Sequence, residues 1–492
     1  MLLAVMLAAA LALGYLALEG RGRAKPAAQS SQGSADAYEV VPGVATFDQM
    51  YTGAIVFGEI GSGKTSGPYK TIVGRLLAHP SKPAFLVLAA KKGVYKDWQE
   101  YCGIAGRSAD LVRFAPGLES VDLLDTMLSH PAATVRDAGE MLDHLIDVEK
   151  RRKGSGGGDN AFFYDYASRL CHGAISLIWH ATGSASLKDV YALISDNNLV
   201  ERYAAIAKEK GVDNEDFGMA LNLFQTELKK TGDRQKAGGI AVLVNCLGRF
   251  MTQDMARIFS SGESTCGPDR VLKEGLVVVA DLPVLTHGVS GRFAQICLKC
   301  LYQKFALMRS GDEDPRALVI AADEDQYFVL PNQDTLVQSV ARESRLISLC
   351  MTQSIPTLRA AVGGESARDE VESLISNHGL KIFCNGSDRE TNFYASNLCG
   401  AEWEDIMGGS LPSQKVEYNP VDDWTGSSRR QGPNISWNSQ YLPRLRPEEL
   451  TRLVRGGRGW VETVCFMNGS IFPETGAPFR RVWFDQNYKG GE

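Results

Sequence analysis

Several features that would narrow the function of this 492-residue chain at once are missing from it. No charge of either sign dominates: 52 Lys and Arg stand against 58 Asp and Glu, for a formal net charge of −6. Such a balance gives no sign of a nucleic-acid binder. It does not exclude one, because a ring with a basic lumen can carry an acidic exterior. There is a single Cys-x-x-Cys, Cys297-Leu-Lys-Cys300, and no second pair to complete a zinc site. It falls in an expected helix over 293–308. The ten cysteines lie mostly in apolar stretches, such as those of Cys297, Cys350 and Cys384, and read as buried free thiols in a reducing compartment. No internal repeat is evident. The length exceeds one typical domain and allows several cores.

The N-terminus lacks a basic leader and a clear small-x-small cleavage site, which argues against a cleaved secretory signal. What is there is Leu2–Leu18, seventeen uncharged residues followed by Arg21, Arg23 and Lys25. Seventeen is near the lower limit for a membrane span. The basic residues after it predict that everything from Arg21 onward is cytoplasmic. The expectation is a transmembrane anchor over 1–20 and a linker over 21–47, with Ser, Gln, Gly and Ala dominating 27–37.

Past the linker, "IVFGEIGSGKTSGPY" at 55–69 carries the strongest signal in the chain. Ala54 to Phe57 read as a short buried strand, and Gly58-x-x-x-x-Gly63-Lys64-Thr65 fits a phosphate-binding loop. Gly58, Gly61 and Gly63 permit backbone angles that side chains forbid, so successive N–H groups can turn inward around a phosphate. The candidate nucleotide-binding residues are Gly58, Glu59, Ile60, Gly61, Ser62, Gly63, Lys64, Thr65 and Ser66. Lys64 can reach the β- and γ-phosphates and the Thr65 hydroxyl can ligate Mg²⁺. A helix from Tyr69 to Ala78 would present its N-terminus to the anion.

A P-loop needs a partner carboxylate on a neighbouring strand. "ALVIAADEDQYFV" supplies apolar residues 317–322 followed by Asp323 and Glu324. Asp323 would hold Mg²⁺ through water and Thr65, and Glu324 would polarise the attacking water, which indicates hydrolysis. A further buried strand, "RLISLCMTQS", ends in Gln353, a candidate γ-phosphate sensor. Arg342 and Arg345 precede that strand, and either could act across a subunit boundary as an arginine finger. The alternative for each is a solvated surface arginine.

Apolar strand candidates at 54–57, 84–89 and 111–114 alternate with helical patterns, and the alternation resumes at 276–281, 317–322, 346–351 and 380–384. That argues for an α/β fold with a mainly parallel sheet and crossover helices. A basic, flexible loop over Lys150–Asp159 introduces a stretch of helical periodicity with almost no strand signal, an inserted all-α domain. The expected organisation is a P-loop ATPase core over 48–145 and 241–407, the all-α domain over 146–240, a loop region over 408–445, and a strand-rich C-terminal part over 446–492.

In this order of motifs the chain resembles the conjugative DNA-transfer coupling proteins (TraG/TraD-like) of type IV secretion systems, in the HerA/FtsK group of ring ATPases. The resemblance spans roughly 50–470. "LVLAAKKGVYKDW" sits where the family has a strand and an Asp-x-Lys-Gly-Glu segment, matched at Lys92 and Gly93. "GDNAFFYDYASRLCHGAI" resembles the opening of its all-α domain, and "ADEDQYF" and "SRLISLCMTQS" its Asp-Glu and Gln motifs. "CNGSDRETNFYASNLCG" and "LPRLRPEELTRLVRGG" resemble later segments. Ala90 and Val94 depart from the family's Asp and Glu. One span is visible where the family usually carries two.

The resemblance implies a RecA-like core in a homohexamer, with ATP and Mg²⁺ at subunit interfaces and an arginine from the next subunit. It implies single- or double-stranded DNA with a relaxase as substrate, type IV channel components as partners, and the bacterial inner membrane as location. The ATPase domain would be cytoplasmic. Lys229, Lys230, Arg234 and Lys236 are either a substrate contact or a solvated helix face. Two other readings stay open: a nucleotide-gated scaffold that recruits substrates, and a soluble HerA-like translocase, which leaves Leu2–Leu18 without a reason.

Overall fold

The computed structural model describes residues 38–152, 159–196, 198–309, 316–410 and 434–490. The expected anchor and most of the linker lie outside these residues. Among the described residues, no helix is long and apolar enough to cross a membrane.

The strands of the described residues are β1 (Glu39–Val41), β2 (Ala45–Thr46), β3 (Ala54–Phe57), β4 (Ala84–Ala89), β5 (Leu111–Phe114), β6 (Val277–Ala280), β7 (Leu318–Asp323), β8 (Leu346–Thr352), β9 (Leu380–Phe383), β10 (Ala401–Ser410), β11 (Asn434–Pro443), β12 (Trp460–Met467) and β13 (Phe479–Asp485). Nine of them form one sheet in the order β13-β12-β9-β3-β8-β7-β4-β6-β5. From β9 to β5 every pairing is parallel; β12 joins β9, and β13 joins β12, antiparallel. The mainly parallel α/β fold is as the sequence predicts.

The inner strands β3, β4 and β6 read as unbroken apolar runs because helices cover both faces. The period-2 alternation of a strand divides each run between two cores. Phe85, Val87, Ala89, Val277, Val279, Val319 and Ala321 pack on one face, with Ile72, Leu76, Trp98 and Tyr101 of the helices Lys70–Leu77 and Val94–Ile104. Leu86, Leu88, Val278, Ala280, Leu318 and Ile320 pack on the other, against the long helices Val135–Arg152, Asp159–Thr182 and Val284–Met308. None of the ten cysteines forms a disulfide, and nine are buried.

Helices fill the described chain between β5 and β6, from Leu123 to Glu274, on both sides of the interval 146–240. Part of the expected loop at 150–159 is helical, since one helix runs to Arg152 and the next begins at Asp159. Arg151 in this last turn pairs with Asp147 one turn back at 2.7 Å and with Glu370 at 2.8 Å. The expected loop over 408–438 is also shorter than its composition suggests. Gly408–Ser410 and Asn434–Asn438 belong to β10 and β11, which pair along their whole length from Ala401↔Pro443 to Ser410↔Asn434.

A candidate nucleotide-binding site at the carboxyl ends of β3, β7 and β8

The P-loop leaves β3 at Phe57 and enters a π-helical turn, Thr65–Tyr69, that runs directly into the helix Lys70–Leu77. Gly61 and Gly63 have φ of 77° and 91°, the left-handed region that glycine tolerates. Gly58 does not use this freedom. It is needed for space, because a Cβ there would lie 2.5 Å from Ser62 Oγ and 2.9 Å from Cys384 Cβ. Two segments brace the loop from outside. Glu59 N donates to Asn385 O at 3.3 Å, and the Glu59 carboxylate accepts from Ser387 N and Oγ, which holds its pKa below the ordinary value. On the other side Gly456 N donates to Ser62 O at 3.2 Å, Arg455 donates to Ile60 O at 3.1 Å, and Gln486 Nε2 reaches Ser66 Oγ at 2.5 Å. Ile60 stands at the apex, 77 % exposed.

Asp323 and Glu324 end β7, but β7 is not the neighbour of the P-loop strand. β8 lies between them. That correction explains why Gln353, which follows the end of β8, sits centrally: its Nε2 is 3.3 Å from Glu324 Oε2. Lys64 Nζ, buried, is 3.7 Å from Glu324 Oε1. The closest partner of that oxygen is Lys91, at 2.6 Å. Gln326 Nε2 donates to Glu324 Oε2 at 2.8 Å and is itself bonded through Oε1 by Thr352 Oγ1 at 3.2 Å. Glu324 adopts φ 64° and ψ 61°, a left-handed conformation that costs a non-glycine residue about 1–2 kcal/mol. These hydrogen bonds hold it there.

Burial alone would raise the Glu324 carboxyl. The Lys91 and Gln326 hydrogen bonds and the Lys64 charge outweigh it and bring the carboxyl down to about 2. Asp323 goes the other way: burial and the charge on Glu324 push it up, against the pull of Lys91 4.0 Å away. Asp323 Oδ1 is buried without a hydrogen-bond partner, as is Ser62 Oγ in the loop. A buried, orphaned carboxylate oxygen within reach of the charge of the P-loop Lys64 suits a hydrated divalent cation, so these residues fit Mg²⁺.

Arg342 and Arg345 are not brought to this site within the chain. Both precede β8, at the end opposite Gln353, and the seven residues of β8 separate Arg345 from Gln353 by roughly 25 Å at the rise of a strand. Arg342 pairs with Asp48 at 2.6 Å, and Arg345 lies over the Tyr51 ring at 5.9 Å. Lys229, Lys230 and Arg234 are exposed on the helical part.

The sequence reading missed Lys91, Gln295, Gln326 and Gln486. Gln295, fully buried, accepts from Ala89 N at 2.6 Å and donates to Ala89 O at 3.0 Å and Leu282 O at 2.8 Å. It thereby fixes the end of β4, where Ala89 is in register with Asp323 and delivers Lys91 to Glu324. Lys91 follows a strand end, a position that invites attention, but its partner is 233 residues away.

No protein-family model matches the sequence, and neither does any curated protein. Solved structures do. The plasmid coupling protein TrwB in complex with ADP and Mg²⁺ matches with a TM-score of 0.61 at 13 % identity, over 93 % of this chain and 91 % of that one. The chain has the TrwB fold. TrwB in complex with the non-hydrolysable GTP analogue GDPNP gives 0.60 at 12 % identity over 94 % and 91 %. The unbound monoclinic form of the bacterial conjugative coupling protein TrwBdeltaN70 gives 0.59 at 12 % over 93 % and 90 %. The likeness to TrwB therefore extends across the sheet and the helical part together, and at such identity it is a likeness of fold.

Proposed function

We propose that the chain is a membrane-anchored ATPase of the coupling-protein type. In this reading it works as a ring of six and uses ATP hydrolysis to pass relaxase-bound DNA to a type IV secretion channel at the bacterial inner membrane. The observation that carries the reading is the convergence of Lys64, Glu324 and Gln353 from three separate segments, with a metal-compatible Asp323 beside them. A shared fold with TrwB, solved with ADP and Mg²⁺, supports it.

In this mechanism the P-loop amides and Lys64 bind the β- and γ-phosphates, and Thr65 and Asp323 hold the hydrated Mg²⁺. The metal, when bound, neutralises charge on the phosphate oxygens. Glu324 takes a proton from water as the water oxygen bonds to the γ-phosphorus. The bond to the β–γ bridging oxygen breaks, and ADP and phosphate leave. Gln353 orients the groups around the γ-phosphate. An arginine from the adjacent subunit, Arg342 or Arg345, would stabilise the transferring charge. The remoteness of both from their own P-loop is compatible with service in trans.

The test is ATP hydrolysis by the full chain in detergent, with and without single- and double-stranded DNA, alongside its mass. DNA-stimulated hydrolysis by a hexamer that disappears in Lys64→Ala is expected. A stable Lys64→Ala protein that still supports transfer would sink the proposal. Hydrolysis stimulated by protein substrates but not by DNA would redirect it to protein export. One observation favours a nucleotide-gated scaffold instead: both Glu324 oxygens are already engaged. Nucleotide binding with no turnover under any condition would favour that scaffold.

A further inference from the structure

A carboxylate that activates water needs an oxygen free to accept a proton. Here both Glu324 oxygens are already engaged. Oε1 accepts from Lys91 Nζ at 2.6 Å with Lys64 Nζ 3.7 Å away, and Oε2 accepts from Gln326 at 2.8 Å and Gln353 at 3.3 Å. Three of these partners belong to the P-loop and to the segments around β7 and β8. The fourth, Lys91, comes from β4 and differs from the others in its freedom to leave. The Lys91 side chain is 47 % exposed, against 6 % for Lys64. It stands on a turn between Ala89, whose backbone Gln295 pins, and Gly93, where φ is 93° and a side chain would meet nothing within 4 Å.

From this geometry we infer that Lys91 is a latch on Glu324. It is a positioning residue that keeps the carboxylate from its water until a nucleoside triphosphate is bound. An ammonium on a four-carbon stem has three donors that can be re-aimed. The γ-phosphate of the triphosphate brings a second, larger negative charge close to Lys64 and competes for Lys91. When Lys91 turns away toward the phosphate, Oε1 becomes free to accept the water proton. A diphosphate lacks that third phosphate and leaves the latch closed, so the site discriminates hydrolysable from spent nucleotide. The inference rests on the reading of Glu324 as the water activator.

Two readouts on the full chain in detergent test it. The first is ATPase kinetics without DNA for the parent, Lys91→Met and Lys91→Arg. Removing the latch is expected to raise the unstimulated kcat by about three- to tenfold with KM changed less than about twofold, and Lys91→Arg should give back most of the suppression. The second is the NMR signal of ¹³C-dimethylated Lys91, assigned by its loss in Lys91→Arg. It should shift with a non-hydrolysable ATP analogue and Mg²⁺ and stay in place with ADP and Mg²⁺.

A Lys91→Met kcat equal to or below the parental value, or a Lys91 signal that moves equally with both nucleotides or with neither, overturns the latch. The two proposals fail separately. A triphosphate-specific shift with no hydrolysis by any variant overturns the hydrolytic reading and keeps the rearrangement of Lys91. Hydrolysis by the parent with no such shift overturns the latch alone.

Discussion

Gly63 of the P-loop and Gly456 of the turn before β12 lie backbone against backbone: Gly456 N donates to Ser62 O at 3.2 Å, and a Cβ on Gly63 would come within 3.0 Å of the Gly456 Cα. The phosphate loop is therefore shaped in part by a segment almost four hundred residues downstream. Gly456 has ordinary backbone angles, and alanine there would bring its methyl within 2.9 Å of Gly63 Cα and 3.2 Å of Gly63 N. Backbone, unlike a side-chain tip, has nowhere to go. Gly456→Ala is expected to weaken binding of a fluorescent ATP analogue by about tenfold or more, since a misplaced donor loses roughly 1–2 kcal/mol per hydrogen bond. Its melting temperature should fall much less. Parental affinity in Gly456→Ala would show that the contact is incidental.

Removing the Glu324 charge without changing its shape separates binding from chemistry. Glu324→Gln keeps the size of a side chain that is 3 % exposed, and it retains an acceptor for Lys91. General-base catalysis contributes about 10²–10⁴-fold, so hydrolysis should fall by that factor while nucleotide affinity stays within a few-fold. Stopped-flow phosphate release and equilibrium binding on the same preparation decide it. A decrease in turnover of less than about fivefold would remove Glu324 from the role of base.

Gln486 joins Ser66 to the turn at Gly457 and Gly459, because its Oε1 accepts from their N–H groups at 2.8 and 3.2 Å while Nε2 reaches Ser66 Oγ. Gln486→Ala is expected to raise KM for ATP by about three- to tenfold, through a loosened turn, with kcat less affected. A mutant with lowered kcat and unchanged KM would mean that the bridge serves the chemical step instead.

How much of this was legible beforehand follows a physical boundary. β3, β4 and β5 have the limits that their apolar runs predict, and β6 to β9 differ by a residue or two, because strands inside a sheet covered on both faces are largely apolar, and even the edge strand β5, with Arg113 exposed, keeps three apolar residues. Local chemistry also singled out Lys64, Asp323, Glu324 and Gln353, which do converge. The order of strands was not legible, since parallel neighbours share no turn and β8 intervenes between β3 and β7. Lys91 was invisible as a partner of Glu324 for the same reason: only the register Ala89↔Asp323 brings them together. The β10–β11 ribbon escaped notice because its two halves are separated by a polar stretch, and its exposed face lacks the burial that makes a strand pattern strong. Trp403 and Trp437 on it are 71 % and 70 % exposed.

The end of β4 depends on one buried amide. Gln295 satisfies both backbone groups of Ala89 and the carbonyl of Leu282 inside the core. Gln295→Leu fills the same volume but leaves those groups unpaired, at a cost of about 1–3 kcal/mol each before relaxation. A loss of roughly 2–4 kcal/mol in urea unfolding is expected. Any folded remainder should also show a weakened Lys91–Glu324 contact and a raised unstimulated ATPase rate. Unchanged stability would mean that water replaces the amide.

Asp122 offers a prediction in pH. It caps the helix Leu123–Ser129, accepting from Asp125 N at 3.5 Å, and it is 4 % exposed. Burial raises its carboxyl to about 7, with Asp125 and Asp189 adding repulsion. A carboxyl raised in the folded state binds its proton more tightly there than in the unfolded chain. Stability is therefore lost as pH rises from the ordinary carboxylate range, near 4, through about 7. Above that the buried charge costs its full amount. Asn is as good a helix cap as Asp and carries no charge. Asp122→Asn should melt at the parental temperature at or below about pH 4 and a few degrees above it near pH 8. The opposite order, with the mutant less stable at the higher pH, would mean that the ionised cap stabilises the helix by more than its burial costs.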